Sequence, residues 1–529
     1  MLPVSALPSK YGIGGFSDEA YQFVDFLREA GQTYWQVLPL GPTGFGDSPY
    51  QAFSTFAGNP YFISLEQLQK ENLLTEEECR EADCGEQADS VDYGKLYRTR
   101  FAVLRKAWNR FRSPEGSAAD KEAFRVFREE NIDWLEDYCL FRVLKDRFGG
   151  KSWMEWPDAF KNREPGALLE AEEKETAEEG FYAFLEYEFL KQWRELKAYA
   201  NRQGIRIIGD IPIYVAMDSS DAWAAPELFQ FDRDRVPKAV AGVPPDVFSA
   251  DGQLWGNPLY DWEYHKKNGY SWWVKRMTHC RELYDMIRID HFRGFEAYYS
   301  VPYGEKTARN GRWVKGPGMD LFRVLKKAMG QAGVIAEDLG VITDGVKELI
   351  RETGYPGMKV LQFAFGSGPD NSFLPWNYPA NCVVYTGTHD NNTTVGWYHS
   401  AEPGEKRFFR QYVGKQRMTD REACREMIRL ALASPADLAV IPMQDWLELG
   451  NSARINLPAT VGTNWRWRML PGQAGPELKA EILEMTQVYG RAGASEAGQG
   501  TEKNQKYQEC TYGRKNQQHA AGKIRKKPE

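Results

Sequence analysis

The chain has no uninterrupted run of 18 apolar residues, so a helical membrane span is excluded. Its opening, MLPVSALPSK, has neither the basic start nor the apolar stretch of a secretory signal. There is no cationic excess: 67 Lys and Arg stand against 74 Asp and Glu, for a net charge of −7. That balance offers no surface for a nucleic acid or an anionic membrane. Cysteine is scarce. The seven, at 79, 84, 139, 280, 382, 424 and 510, are scattered and odd in number, and the close pair 79/84 lacks a zinc spacing. Reduced thiols in a cytoplasmic protein fit this usage better than a disulfide framework. Only six histidines occur and no His/carboxylate spacing stands out, so neither a metal nor an organic cofactor is expected. The glycines of YGIGGF (11–16) do not make the G-x-G-x-x-G phosphate loop, and no G-x-S-x-G elbow is visible.

What is present is length and aromatic surface. With 529 residues, 42% hydrophobic and 14% aromatic, the chain can fill a large core and still line a site for flat-faced ligands such as sugars. Eight short apolar segments recur: 2–7, 34–40, 205–215, 286–292, 333–340, 358–365, 382–390 and 437–445. Amphipathic patterns separate many of them, at about 18–30, 321–332, 343–353 and 417–433. Strand–helix alternation with buried strands predicts an α/β fold, a (β/α)8 TIM barrel. Long gaps after the second and third strands place large, mostly helical insertions, at about 62–200 and 216–284, over the C-terminal face. The acidic stretch LLEAEEKETAEEG (168–180) reads as a solvated face or loop. Residues 1–491 form one catalytic unit in this reading. The segment 492–529, almost free of large aliphatics, reads as a disordered tail.

Charge collects at strand ends. In MIRIDHFRGF (286–295), alternation sends Ile287 and Ile289 toward the outer helices and Arg288 with Asp290 into the barrel mouth. The guanidinium should favour an ionised Asp290, a candidate nucleophile. VIAEDLG ends in Glu337 and Asp338, and a partly desolvated carboxyl there suits a general acid/base. VVYTGTHD ends in His389 and Asp390, and IIGDIPIYV carries Asp210. Taken singly, each is explained as a helix cap, a core hydrogen bond or a structural ion pair. Together they describe a pocket of three or four carboxylates, one Arg and one His. Two carboxyl groups of split pKa beside spare aromatics suit glycoside cleavage.

Long segments carry a resemblance: GIRIIGDIPIYVAMDSSDAW, PPDVFSADGQLWGNPLYDW, MIRIDHFRGFEAYY, VIAEDLG, YTGTHDNNTTVGW, DSPYQAFSTFAGNPYFISL and NLPATVGTNWRWRM. Taken in their order along the chain, they resemble the 4-α-glucanotransferases, also called amylomaltases or disproportionating enzymes, of glycoside hydrolase family 77 in the α-amylase clan. The likeness runs from residue 2 to about 490. It implies Asp290 as nucleophile, Glu337 as general acid/base and Asp390 as a third carboxylate gripping the reacting glucose. It also implies that Arg288 holds Asp290 ionised, that Asp210, His389 and Tyr50 bind that glucose, that Trp255 helps form a lid, and that Asn464 binds substrate. The implied partners are α-1,4-glucans, with glucose or another glucan as acceptor. A hydrolase or debranching enzyme of the same clan stays open at this point, as does a non-catalytic glucan-binding protein.

Overall fold

The computed structural model describes residues 1–493 except 45, 86, 246–248 and 331–332. Among the described residues it has eleven strands. In chain order they are β1 (Tyr34–Gln36), β2 (Arg206–Pro212), β3 (Ala239–Val243), β4 (Gln253–Pro258), β5 (Met286–Asp290) and β6 (Ala297–Pro302). β7 (Arg312–Lys315), β8 (Val334–Ala336), β9 (Gly357–Val360), β10 (Cys382–Tyr385) and β11 (Leu438–Val440) follow. Seven form one parallel sheet in the order β1-β2-β5-β8-β9-β10-β11. This is the expected barrel, with seven of the eight anticipated segments as strands.

The eighth segment behaves differently. Val4–Ala6 is a 3-10 turn rather than a strand. Pro3 has no N–H to give to a ladder, which ends pairing after two residues. Those two still bridge the gap between β1 and β11. The Leu2 N–H donates to the Gln36 carbonyl at 3.1 Å, and the Met443 N–H donates to the Met1 carbonyl at 3.0 Å.

Alternation along the strands sorts two layers. Ile208, Ile335, Met358, Val360, Val383, Tyr385 and Val440 fill the barrel interior. Ile207, Ile211, Ile287 and Ile289 belong to the larger cluster under the helices. The outer helices lie close to their predicted positions: Asp18–Glu29, Met319–Met329, Asp344–Thr353 and Asp420–Ala433. The acidic 168–180 stretch is a solvated face rather than a loop. It is the exposed first half of one helix, Pro165–Arg202, which buries its second half against the barrel and leads into β2.

The segment between β1 and β2 is helical, as expected. The segment after β2 is mixed, with helices at Ser220–Ala224, Trp262–Lys267 and Ser271–Leu283. It supplies β3 and β4, which join β6 and β7 in a second, antiparallel sheet ordered β4-β3-β6-β7. The partner strands β6 and β7 come from the connection after β5, where no insertion was anticipated. Of the anticipated tail, Ala492 and Gly493 pack on the barrel, and the Gly493 N–H donates to the Gly31 carbonyl at 2.9 Å. The rest of that segment, 494–529, lies outside the described residues.

One close approach sets where β2 sits. Gly209 faces outward, and a Cβ there would lie 2.1–2.3 Å from ring atoms of the buried Tyr284. Gly209→Ala is therefore expected to cost about 3 kcal/mol through overpacking. At Gly166 nothing lies within 4 Å of an added Cβ, and Gly166→Ala should stay within about 0.5 kcal/mol of the parent. Thermal melting of the two variants checks the contrast.

Candidate active site

β2 and β5 are neighbours, and their register sets Asp210 opposite Arg288. Both side chains point into the barrel, where an unpaired charge is costly. Arg288 is 3% exposed. Its Nη1 donates to both oxygens of Asp210 at 2.7 Å, and its Nη2 donates to Asp290 Oδ1 at 3.0 Å. The chain of contacts continues outward. The Tyr50 hydroxyl donates to Asp210 Oδ2 at 3.0 Å. The Tyr50 ring stacks on His389, with centroids 4.9 Å apart and planes at 17°. His389 Nε2 lies 3.3 Å from Asp390 Oδ1. Six of the nine singled-out side chains thus form one connected series, from Asp290 through Arg288, Asp210, Tyr50 and His389 to Asp390.

Glu337 follows β8 directly. The Glu337 N–H donates to the Ile289 carbonyl at 3.1 Å, and the Phe292 N–H donates to the Glu337 carbonyl at 3.0 Å. These bonds tie the acidic strand tip to the one that carries Asp290. The Glu337 carboxylate accepts a backbone N–H on each oxygen, from His291 on Oε2 at 2.6 Å and from Leu339 on Oε1 at 2.7 Å. It is 7% exposed and makes no ion pair among the described residues. Burial, reinforced by the charge of Asp290, pushes its pKa from 4.5 up to about 8, against Arg288 and the two backbone donors.

Asp290 differs from the expectation. Burial raises its carboxyl above the ordinary value and outweighs the Arg288 guanidinium, which acts in the expected downward sense; Asp210 adds to the rise. Its side chain nevertheless keeps 30% exposure. The two carboxyl groups titrate as a pair. Of the two, only Asp290 touches the guanidinium, a contact that favours the ionised carboxylate.

Asp390 is more open, with 46% of its side chain exposed. Asn456 donates to its Oδ1 at 2.6 Å, and Arg454 donates to its carbonyl oxygen at 2.6 Å. The Trp255 ring meets His291 edge-on at 4.8 Å, one residue from Asp290. Asn464 stands apart. Its Oδ1 accepts the Leu457 N–H at 3.0 Å, and its amide nitrogen donates to the carbonyls of Leu457 at 3.2 Å and Thr460 at 2.9 Å. That side chain holds the shape of its own loop, and its neighbour Trp465 reaches the site, 5.8 Å from both Tyr50 and His389. Asp338 is also separate: it accepts the Met358 N–H at 2.6 Å and ties β8 to β9. Among the described residues, no group of three or more His, Cys, Asp or Glu is arranged to hold a metal ion.

The 4-alpha-glucanotransferase family profile matches residues 2–473. The chain belongs to the 4-alpha-glucanotransferase family. It is 48% identical to the 4-alpha-glucanotransferase of Clostridium butyricum over 490 residues, covering 92% of this chain and 99% of that one. The Thermus thermophilus 4-alpha-glucanotransferase is 49% identical over 493 residues, covering 92% and 97%. Among solved structures, an amylomaltase from Streptococcus agalactiae in complex with acarbose superposes with a TM-score of 0.90 at 39% identity, covering 93% of this chain and 99% of that one. An enzyme with the 4-alpha-glucanotransferase activity of this family accounts for the carboxylates in the barrel mouth, and the non-catalytic reading falls away.

The raised Glu337 pKa has a consequence for stability. A carboxyl whose folded pKa lies above its unfolded value contributes stability below the unfolded value and loses it as pH rises through the folded one. For Glu337 that loss spans 4.5 to about 8. Glu337→Gln does not titrate there. It is expected to melt above the parent at pH 9 by the equivalent of a few kcal/mol, with the gap closing toward pH 5. Melting curves at half-unit pH steps read this directly, and parallel curves would contradict it.

Proposed function

We propose that this chain transfers α-1,4-glucan segments by a retaining, two-step reaction in which Asp290 is the nucleophile and Glu337 the acid/base. The supporting observation is the contrast between two carboxyl groups on adjacent, backbone-bonded strand tips. One touches a guanidinium and is partly open to solvent; the other is buried without a cation and holds its proton. In the first step an Asp290 oxygen bonds to the anomeric carbon, the glycosidic C–O bond breaks, and the Glu337 proton passes to the departing oxygen. The product is a glycosyl ester on Asp290. In the second step the 4-hydroxyl of an acceptor bonds to that carbon, its proton returns to Glu337, and the ester bond breaks.

Asp390, Asp210, His389, Arg288 and Tyr50 grip the sugar at the reacting centre in this reading, and Trp255 covers it from the second sheet. Asn464 acts at one remove, by holding the loop that presents Trp465. Donors are maltooligosaccharides, amylose, or glycogen and starch fragments; acceptors are glucose or a second glucan. The chemistry needs no metal or organic cofactor. The setting is the cytoplasm, in keeping with six buried cysteine thiols.

A hydrolase uses the same carboxylates, so products decide between the two. Incubated with maltotriose, the enzyme is expected to release glucose together with oligomers longer than the substrate, with the same product distribution after exhaustive chelation. Glucose and maltose alone would mark a hydrolase. A loss of activity that Ca²⁺ restores would mark a metal-dependent enzyme.

A further inference from the structure

The residue after the nucleophile has an unusual backbone. His291 lies in the left-handed region, at φ 53° and ψ 46°. Residues with a Cβ enter that region at a cost, and such strain persists where the surroundings require it. Here the requirement is visible. The turn at His291 aims its N–H at Glu337 Oε2, 2.6 Å away. The same turn brings Phe292 N–H to the Glu337 carbonyl at 3.0 Å. Two residues on, the buried Arg293 donates to the Val341 carbonyl at 2.8 Å, beyond Leu339, whose N–H holds the other carboxylate oxygen.

We propose that His291 is a positioning residue for Glu337, acting through its left-handed turn rather than through its imidazole. This rests on the acid/base role proposed above for Glu337. One N–H on each oxygen fixes the plane of the carboxyl group, and so fixes which oxygen faces the glycosidic bond. Both donors also favour the ionised form, the form that must take the acceptor's proton in the second step. The other charged groups facing Glu337 are Asp290 and Arg288, and both are left in place by any change at His291. The imidazole offers a competing explanation, because it is 8% exposed and packs edge-on against Trp255 at 4.8 Å.

Four variants separate the two. Gly and Asn accept the left-handed region readily, whereas Ala and above all Val resist it; all four remove the imidazole. His291→Gly and His291→Asn are expected to keep kcat/KM for maltotriose within about threefold of the parent. His291→Ala and His291→Val are expected to lose about ten- to a hundredfold, the scale set by a misplaced catalytic group. In these two the alkaline limb of the pH–rate profile should move upward, because a carboxylate that loses a donor is harder to ionise. First-turnover fluoride release from an α-maltosyl fluoride needs little protonation and should stay near the parent rate in all four.

Equal losses in Gly, Asn, Ala and Val would assign the effect to the imidazole and overturn the proposal. So would Ala and Val variants with unchanged rate and pH limb, or a fluoride release that falls in step with maltotriose turnover. The parent enzyme in the same assay judges the transferase reading separately, by whether oligomers longer than maltotriose appear.

Discussion

A guanidinium buried inside the barrel, with carboxylates on both sides, is the constraint around which this site is built. Arg288 cannot give up its proton, and its burial is tolerable only with paired acceptors. Asp210 supplies two contacts and Asp290 a third. Because Asp210 is wholly buried, its second oxygen also takes the Tyr50 hydroxyl. That bond fixes Tyr50, which fixes the ring of His389, which stands against Asp390. Five other side chains of the mouth are thus referenced to one cation on β5. Removing Arg288 would leave two carboxylates facing each other in a poorly solvated space, and the damage would spread along the whole series.

The same cation divides labour between two acids. Asp290 and Glu337 sit on neighbouring strand tips, and burial raises both. Of the two only Asp290 touches the guanidinium, which favours its ionised form, and the proposed mechanism rests on that difference. Glu337 is held by backbone N–H groups, which orient it without supplying a full positive charge. Glycosyl transfer asks for this arrangement: a nucleophile that is already ionised, and an acid that can give its proton and take one back. Whether water or a sugar completes the cycle depends on what lies over the mouth. There Trp255 arrives on the second sheet and Trp465 on the loop that Asn464 holds.

Much of this was legible because strand alternation has a period of two. Reading every second residue of MIRIDH puts Arg288 and Asp290 inward and Ile287 and Ile289 outward, and the structure has them so. Asp210 and Glu337 were visible for the same reason, and Asp390 because it closes the apolar segment that begins at β10. Other parts left no such mark. The donors that orient Glu337 are backbone groups of His291 and Leu339, and a backbone N–H looks alike at every position. The left-handed turn at His291 is invisible in a residue type that rarely needs one. The second sheet went unread because β3 and β4 pair with β6 and β7 from a different connection, and non-local pairing has no local period. The opening segment looked like a strand because it is apolar, but Pro3 ends its pairing after two residues. Asn464 bonds its own loop through its amide, and the aromatic face beside it belongs to Trp465.

The account stands on Asp290 being the ionised member of the pair and so the residue that bonds to sugar. The direct measurement is to trap that bond. Glu337→Gln, given an α-maltosyl fluoride, can complete the first step but lacks the base for the second, so glycosyl-enzyme should accumulate. Digestion and mass spectrometry are expected to find the added maltosyl group on the peptide that contains Asp290, and on that carboxyl within it. An adduct on Asp390 or Asp210, or fluoride release with no covalent adduct at all, would contradict the account.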